Sequence, residues 1–303
     1  MSQDKKICIG VVQMACVSDP RKNLEHAVEK ITQAIRDGAT LVCLPELFQS
    51  QYFCQKEDTS FFDLAEPIPG HLTKVLGQVA KQHNVVIIVP IFERRTSGIY
   101  HNSIVVLDSD GSIAGLYRKM HIPDDPAYYE KFYFTPGDKG FQAIETSIGK
   151  VGTLICWDQW YPEAARLTAL QGAEMLFYPT AIGWHPSEEA QEGQSQRAAW
   201  QTIQRSHAIA NGVFVISVNR VGHEKIVEGE DGIKFWGSSF ICDPLGVVLS
   251  EASIDEEEVL VSEIDLRLVE EVRQNWPFLR DRRIDAYDGL TKRFLDEGDY
   301  REF

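Results

Sequence analysis

Residues 151–163 read VGTLICWDQWYPE, and this stretch indicates the class of fold. Its apolar run ends at Cys156, after which the chain turns and restarts as a predicted helix near Pro162, a residue that suits the first helical turn. A buried strand that leads into a helix is the building unit of α/β proteins. Open α/β sheets present their chemistry at the carboxyl ends of their strands, and here that end carries a thiol.

The first half of the chain alternates between predicted strands and predicted helices. The stretches KICIGVVQM (6–14) and TLVCLPE (40–46) read as strands, and the helix between them begins after Asp19 and stops at Gly38. Strands that alternate with helices predict a mainly parallel sheet. The other predicted elements of this half are a helix marked by Leu72, Val75, Leu76 and Val79, and strands at 85–94 and 102–119 with a hairpin turn at Asp110-Gly111.

The second half repeats this order of elements. We therefore predict two similar sheets with helices outside them, in one domain that spans residues 1–265. Residues 266–303 fit neither half and are predicted to form a tail that packs on this domain or on a neighbouring subunit. The stretches that correspond are 150–158 with 6–14, 170–180 with 35–46, 210–220 with 82–92, and 237–252 with 101–116.

The composition is that of a soluble globular protein with an acidic surface. The chain has 303 residues and a formal charge of −15, which argues against nucleic acid or an anionic membrane as a partner and is compatible with cationic ligands. No apolar run approaches the ~20 residues of a membrane span. The six cysteines include no CxxC pair, so we expect a reduced, cytoplasmic protein whose thiols are mostly core residues.

Three reactive side chains close predicted strands: Glu46, Lys119 and Cys156. A carboxylate, an ammonium group and a thiol can form a nucleophilic site in which the carboxylate accepts the thiol proton and the ammonium group stabilises an oxyanion. The thiol needs this help, because a free cysteine has a pKa of about 8.5 and is mostly neutral at pH 7.

The motifs around these residues resemble the nitrilase superfamily of carbon–nitrogen hydrolases. They are GVVQM, LPELF, YRKMHIP, ICWDQWYPEAAR and NRVG, in this order along the chain. The resemblance implies a four-layer αββα sandwich with an internal pseudo-two-fold duplication, no metal or organic cofactor, and assembly as a homo-oligomer. It implies the following roles: Glu46 as general base, Cys156 as nucleophile, Lys119 and the Trp157 N–H as oxyanion donors, and Glu130 as a further catalytic carboxylate.

The loops on either side of the nucleophile resemble the branch of the superfamily that hydrolyses N-carbamoylputrescine to putrescine, carbon dioxide and ammonia through a carbamoylated cysteine. Relatives that act on carbamoyl amino acids have basic residues where this chain has Gln159 and Trp160, so a small cationic carbamoyl-amine is the expected substrate. The candidate substrate-binding residues are the acids Asp124, Asp125, Glu188 and Glu189, for the ammonium group, and the aromatic residues Tyr52, Trp157 and Trp184, for the methylene chain.

Three other interpretations stay open at this stage. A β-ureidopropionase or an ω-amidase would act on a substrate that carries a carboxylate, and the Gln159/Trp160 pair argues against it. A non-catalytic scaffold would be expected to lack a member of the triad, and none is missing. A metal-dependent amidohydrolase would need clustered ligands, whereas the eight histidines show no HxH or HExxH spacing.

Overall fold

Fifteen strands and seven α-helices lie within residues 5–189 and 192–295, which are the residues that this computed structural model describes. The strands are β1 (Lys6–Gln13), β2 (Leu41–Cys43), β3 (Val86–Thr96), β4 (Ile99–Leu107), β5 (Ile113–Arg118), β6 (Ala143–Thr146), β7 (Gly149–Thr153), β8 (Met175–Thr180), β9 (Gly183–Trp184), β10 (Phe214–Asn219), β11 (Val221–Glu224), β12 (Ile233–Trp236), β13 (Phe240–Cys242), β14 (Val248–Glu251) and β15 (Glu258–Asp265). The helices are α1 (Pro20–Arg36), α2 (His71–His83), α3 (Glu130–Tyr133), α4 (Pro162–Leu170), α5 (Pro186–Glu189), α6 (Gly193–Asn211) and α7 (Arg267–Asn275).

Two six-stranded sheets of the same design form the centre of the fold. Their orders are β15-β1-β2-β3-β4-β5 and β6-β7-β8-β10-β13-β14, and a short sheet β11-β12-β9 lies beside them. The four pairs of similar segments in the sequence occupy equivalent strand positions in the two sheets. The predicted duplication is therefore confirmed. Each sheet is mixed rather than mainly parallel, because only two of its five strand pairs are parallel and the hairpins add antiparallel strands.

Alternating residues of β1 show how the layers stack. Ile9 and Val11 belong to a buried cluster that also contains residues of the second sheet, whereas Val12 belongs to a cluster shared with α1 and α2. This period of two is what a strand between two apolar layers requires. Helices α4 and α6 cover the outer face of the second sheet, so the predicted four-layer αββα sandwich is confirmed.

Helix α1 begins where the sequence predicts. The Asp19 side chain accepts a hydrogen bond from the Arg21 backbone N–H, and Pro20 occupies the first turn. The helix ends before Gly38, whose φ of +103° suits a residue without a side chain. None of the described helices is both long enough and apolar enough to span a bilayer.

The segment after β15 packs on the domain only in its first part. Val269 and Val272 of α7 are buried, and the Arg273 Nε donates to the Asn211 carbonyl at the end of α6. Beyond α7 the chain exposes a series of large apolar side chains. They are Trp276, Phe278, Ile284, Tyr287, Leu290, Phe294 and Leu295.

Candidate active site

The two central sheets bring Glu46, Lys119 and Cys156 together at one end of the sandwich. Glu46 lies in the turn after β2, and Lys119 directly follows β5, so both come from the first sheet. Cys156 comes from the second sheet, three residues after the end of β7 at Thr153. The expectation that the strand itself ends on the thiol is therefore wrong. Glu46, Lys119 and Cys156 are 0%, 1% and 4% exposed, so they form a site that is almost closed to bulk water.

Cys156 is the first residue of a short 3₁₀-helix, Cys156–Trp160, and has a φ of +42°. A side chain with a β-carbon rarely adopts this left-handed conformation, so the surrounding structure must hold it. Asp158 supplies that support, because its carboxylate accepts from the Ile155 N–H at 3.0 Å and from the Tyr117 hydroxyl at 2.7 Å. The His121 Nδ1 lies 2.7 Å from the same carboxylate. The turn is thus tied to the end of β5.

Lys119 joins two buried carboxylates. Its Nζ donates to Glu46 Oε1 at 2.8 Å and to Glu130 Oε2 at 2.6 Å. Burial alone would lower the pKa of Lys119, but the negative charges of Glu130 and Glu46 outweigh burial and raise the pKa well above its usual value. The ammonium group therefore stays charged.

Glu46 presents its two carboxylate oxygens to different surroundings. Oε1 accepts from both the Lys119 Nζ and the Asn102 Nδ2, the latter at 2.6 Å. Oε2 is buried and has no hydrogen-bond partner among the described residues. An unpartnered carboxylate oxygen in a dry site is costly unless it serves another purpose. Here it is the oxygen that is free to accept a proton.

Glu130 opens α3 and shares the Lys119 ammonium group. Its Oε1 accepts from the Tyr52 hydroxyl at 2.7 Å. Burial raises the pKa of Glu130 to about 7, with the Glu46 carboxylate adding to the rise and Lys119 opposing it. A carboxyl group with a pKa near neutrality can both give and take a proton at physiological pH.

The Cys156 thiol is neutral in the resting site. Burial raises the pKa of Cys156 far above its usual value, and the Glu46 and Glu130 carboxylates add to this rise while Lys119 opposes it. A neutral thiol is a weak nucleophile, so it must lose its proton to a neighbouring base as it attacks. The geometry thus provides the thiol, a base and a cation for nucleophilic attack on a carbonyl-type carbon.

A cavity of about 500 Å³ reaches the Cys156 thiol. The indoles of Trp157, Trp160 and Trp236 and the phenol ring of Tyr128 form much of its wall. Its charged lining residues are the acids Asp125 and Glu188, with His185 beside them, and neither arginine nor lysine lines it in the described part of the chain. An aromatic cavity with carboxylates suits an extended apolar chain that ends in a cation.

Comparisons with known proteins show the family of the chain. The family model for carbon-nitrogen hydrolases matches residues 8–274. The chain belongs to the carbon-nitrogen hydrolase family. It is therefore an amidohydrolase of the nitrilase superfamily, as the motifs predict.

Individual members of the carbon-nitrogen hydrolase family match over almost the whole chain. The N-carbamoylputrescine amidase of Solanum lycopersicum is 45% identical over 95% of this chain and 96% of its own length. The citrullinase of Francisella tularensis is 40% identical over 95% of this chain and 99% of its own length. The crystal structure of a carbon-nitrogen hydrolase from Helicobacter pylori G27 superposes with a TM-score of 0.93 at 52% identity, covering 96% of this chain and 100% of that one.

The predicted substrate-binding residues fall into two groups in this hydrolase. Trp157, Asp125 and Glu188 line the cavity. The other four do not line it. Tyr52 is fully buried and binds Glu130, and Trp184 is buried with its Nε1 donating to the Gly193 carbonyl. Asp124 is exposed outside the cavity wall, and Glu189 forms an ion pair with Lys234 at 2.7 Å.

Several residues of the site are ones that the sequence analysis did not select. Tyr128 and Trp236 line the cavity, Asn102 binds Glu46, and Asp158 holds the turn that carries Cys156. Asp158 stands in a quoted motif and could have been selected as a side chain that caps the turn. For Trp236 there was no such signal, because it comes from a strand 80 residues away from Cys156. No group of three or more His, Cys, Asp and Glu side chains that could hold a metal ion occurs in residues 5–189 and 192–295.

Proposed function

We propose that this protein hydrolyses N-carbamoylputrescine to putrescine, carbon dioxide and ammonia. The observation that carries the proposal is the cavity at Cys156, because among the described residues that line it are the carboxylates of Asp125 and Glu188 and neither arginine nor lysine. The 45% identity to an N-carbamoylputrescine amidase over nearly full length supports the same substrate.

In the first chemical step, the Cys156 sulfur attacks the carbamoyl carbon as its proton moves to Glu46. Glu46 Oε2 is the acceptor, because Oε1 is already bound by Lys119 and Asn102. The carbonyl oxygen becomes an oxyanion, which the Lys119 ammonium group and the Trp157 N–H stabilise. This N–H lies in the first turn of the 3₁₀-helix, where backbone donors have no acceptor within the helix.

The collapse of this intermediate releases ammonia. The C–N bond to the terminal amide nitrogen breaks, the nitrogen takes a proton from the carboxyl groups, and the thiol is left as an N-alkylthiocarbamate. Glu130 is suited to assist this transfer, since its pKa of about 7 lets it give and regain a proton at neutral pH.

Water completes the reaction. Glu46 takes a proton from a water molecule, the oxygen attacks the thiocarbamate carbon, and the C–S bond breaks to return the thiol. The product is the N-alkylcarbamate, which loses carbon dioxide and leaves putrescine. Each atom of the substrate and of the one water consumed is accounted for in putrescine, carbon dioxide and ammonia.

The far end of the substrate carries an ammonium group, which we place against Asp125 and Glu188. Both acids line the cavity, whereas Asp124 and Glu189 do not. The four methylenes would then lie along the rings of Tyr128 and Trp157, which also line the wall. This narrows the four candidate acids of the sequence to two.

Citrulline is a second candidate substrate, because the citrullinase of Francisella tularensis is 40% identical. Citrulline has the same ureido group and a similar carbon chain, but it ends in both an ammonium group and a carboxylate. That carboxylate would lie against the carboxylates of Asp125 and Glu188, and like charges placed together across a binding site repel each other, whereas no arginine or lysine is among the described residues that line the cavity. The same argument disfavours N-carbamoyl-β-alanine and ω-amides.

Ammonia release from a matched panel tests the proposal. We expect kcat/KM for N-carbamoylputrescine to exceed that for citrulline and for N-carbamoyl-β-alanine by at least ~10²-fold, because like charges placed together across a binding site cost several kcal/mol. The variants Asp125→Asn and Glu188→Gln should raise KM for N-carbamoylputrescine and leave kcat nearly unchanged. Faster hydrolysis of either carboxylate substrate would overturn the assignment.

We further propose a cytoplasmic homo-oligomer. All six cysteines are free, which fits a reducing compartment. The apolar side chains that follow α7 are exposed in the single protomer, and a neighbouring subunit would cover them.

A further inference from the structure

A buried ion pair lies next to the site without lining its cavity. Arg220, which follows β10, and Glu224, at the end of β11, are 0% and 2% exposed, and the Arg220 Nη1 donates to Glu224 Oε1 at 2.9 Å. Neither residue is among those that line the cavity at Cys156. The pair belongs to the second half of the chain, whereas its other partners belong to the first.

The Arg220 guanidinium group binds the backbone that carries Glu46. Its Nη2 donates to the carbonyl oxygen of Glu46 itself at 2.6 Å, and its Nη1 also donates to the Ser50 carbonyl at 3.2 Å. A planar guanidinium group can bind two carbonyls and a carboxylate at fixed angles, which a lysine cannot do. Arg220 therefore fixes both the position and the direction of this backbone.

Glu224 binds the other end of the same segment. Its Oε2 accepts from the Tyr52 backbone N–H at 2.5 Å. The Tyr52 side chain in turn donates to Glu130. Arg220 thus holds residues 46–52 at the end that carries Glu46. Glu224 holds the other end, where Tyr52 contacts Glu130.

This segment needs external support. It contains no strand or α-helix, and Leu47 has a φ of +49°, which is unfavourable for a residue with a β-carbon. A buried ion pair is weak evidence for added stability, because the cost of removing two charges from water offsets most of their attraction. The contacts that distinguish this pair are those to the segment that carries Glu46.

We infer that Arg220 and Glu224 are positioning residues for catalysis, which hold Glu46 Oε2 and Glu130 where they exchange protons with Cys156 and the substrate. The inference rests on the proposed role of Glu46 as the base. Loss of the pair should lower kcat and leave KM nearly unchanged, because the pair acts on the reacting groups and not on the cavity wall.

The test uses variants that remove or reshape the pair. The double variant Arg220→Met/Glu224→Leu removes both charges together, so no unpaired charge is buried and folding is retained. We expect its kcat to fall on the order of 10- to 100-fold, the usual effect of a misplaced catalytic group, with KM within about 2-fold of wild type. Arg220→Lys keeps the charge next to Glu224 but loses the planar fork, and we expect a similar fall in kcat.

A second buried pair provides the matched control. Arg118 and Glu93 are 6% and 3% exposed, and the side chain of Arg118 binds Glu93 and Asp138 rather than the site. Arg118→Met/Glu93→Leu should change Tm by an amount similar to the Arg220/Glu224 variant while retaining kcat. Equal losses of kcat in the two double variants would show that activity follows general stability, and would overturn the inference.

Alkylation of Cys156 by iodoacetamide, measured by peptide mass spectrometry, gives a reading that needs no amide substrate. We expect the Arg220/Glu224 variants to slow it by about the same factor as kcat, with Glu46→Gln as the reference. If Glu46→Gln slows alkylation and the pair variants do not, the positioning inference alone fails. If Glu46→Gln itself has no effect, the proposed base fails, and the inference that rests on it fails too.

Discussion

Cys156 combines a strained backbone with a place on the cavity wall, and both features suit a nucleophile rather than a core cysteine. Its φ is +42°, and it lines the cavity. Cys43, by contrast, is 0% exposed in the core between the sheets and touches no cavity at the site. The two cysteines should therefore respond to substitution in opposite ways.

We predict that Cys156→Ala and Cys156→Ser abolish turnover while Tm stays close to that of wild type. The thiol lies at a cavity wall, so its removal only enlarges an existing space. Cys43→Ala, the control, should cost about 1 kcal/mol of stability and keep its activity. A Cys156 variant that retained a tenth of wild-type kcat would contradict the assignment.

We predict that Glu46→Gln lowers kcat by at least ~10²-fold, because the amide keeps the shape of the side chain and cannot accept the thiol proton. Glu46 and Cys156 act in one step, so their losses should not add. The double variant Glu46→Gln/Cys156→Ala should be no slower than Cys156→Ala. Losses that multiply would mean that Glu46 acts in some other way.

Glu130 makes stability depend on pH in a defined direction. Its pKa is raised from 4.5 to about 7, so between these pH values the folded chain holds a proton that the unfolded chain releases. The contribution to stability is present below pH 4.5 and is lost as the pH rises to about 7. We predict that the Tm of wild type falls, relative to that of Glu130→Gln, from pH 5 to pH 8. The exposed Glu25→Gln serves as the control, and a constant difference between wild type and Glu130→Gln would contradict the prediction.

At the scale of elements, two equivalent glycines set how closely a helix approaches its strand in each half. Gly10 of β1 pairs with Val42 of β2, and Gly152 of β7 pairs with Leu176 of β8. A β-carbon at Gly10 would lie 3.0 Å from Ala39 and 3.1 Å from Ala34 of α1. At Gly152 it would lie 2.4 Å from Thr168 of α4 and 2.7 Å from Leu176.

We predict that Gly152→Ala destabilises the protein by roughly 1–3 kcal/mol, the usual cost of overpacking, and that Gly10→Ala costs less. The contacts at Gly152 are shorter, and α4 directly follows the nucleophile turn. A shift of α4 should therefore also lower kcat in the Gly152 variant. Urea unfolding and ammonia release measure the two effects, and equal destabilisation by both variants would contradict the ranking.

The elements also show what patterning predicts and where it stops. Apolar runs and turn residues predicted β1 to β5, α1 and α2 in the first half and the repeated strands β7, β8, β10, β13 and β14 in the second, because burial between layers imposes that pattern. They did not predict β6, β9, β11, β12, β15 or α6. They placed the end of β7 at Cys156, although the strand ends at Thr153. The cause is Asp158, whose carboxylate accepts from the Ile155 N–H and pulls the chain into a 3₁₀ turn. A side-chain cap of this kind competes with strand pairing, and the pattern of apolar residues does not predict it.

At the scale of the molecule, the duplication explains why the site needs both halves. The first sheet supplies Glu46 and Lys119, the second supplies Cys156, and the Arg220 side chain donates to the Glu46 carbonyl across the two halves. Resemblance to a family predicted the triad from motifs. The contact between Arg220 and Glu46 spans 174 residues, and no local pattern in the sequence reveals it.

The segment after α7 carries the last prediction. In the single protomer Ile284, Leu290 and Phe294 are 72%, 64% and 76% exposed, more than an isolated soluble chain ordinarily leaves uncovered in one segment. Because these side chains contact little of their own domain, the triple substitution to serine should leave the stability of the protomer nearly unchanged. We predict that it reduces the number of subunits in solution, measured by light scattering, with Ile99→Ser at the start of β4 as the control. An assembly of unchanged size would mean that the segment does not form the interface, and the proposed role of the tail would be wrong.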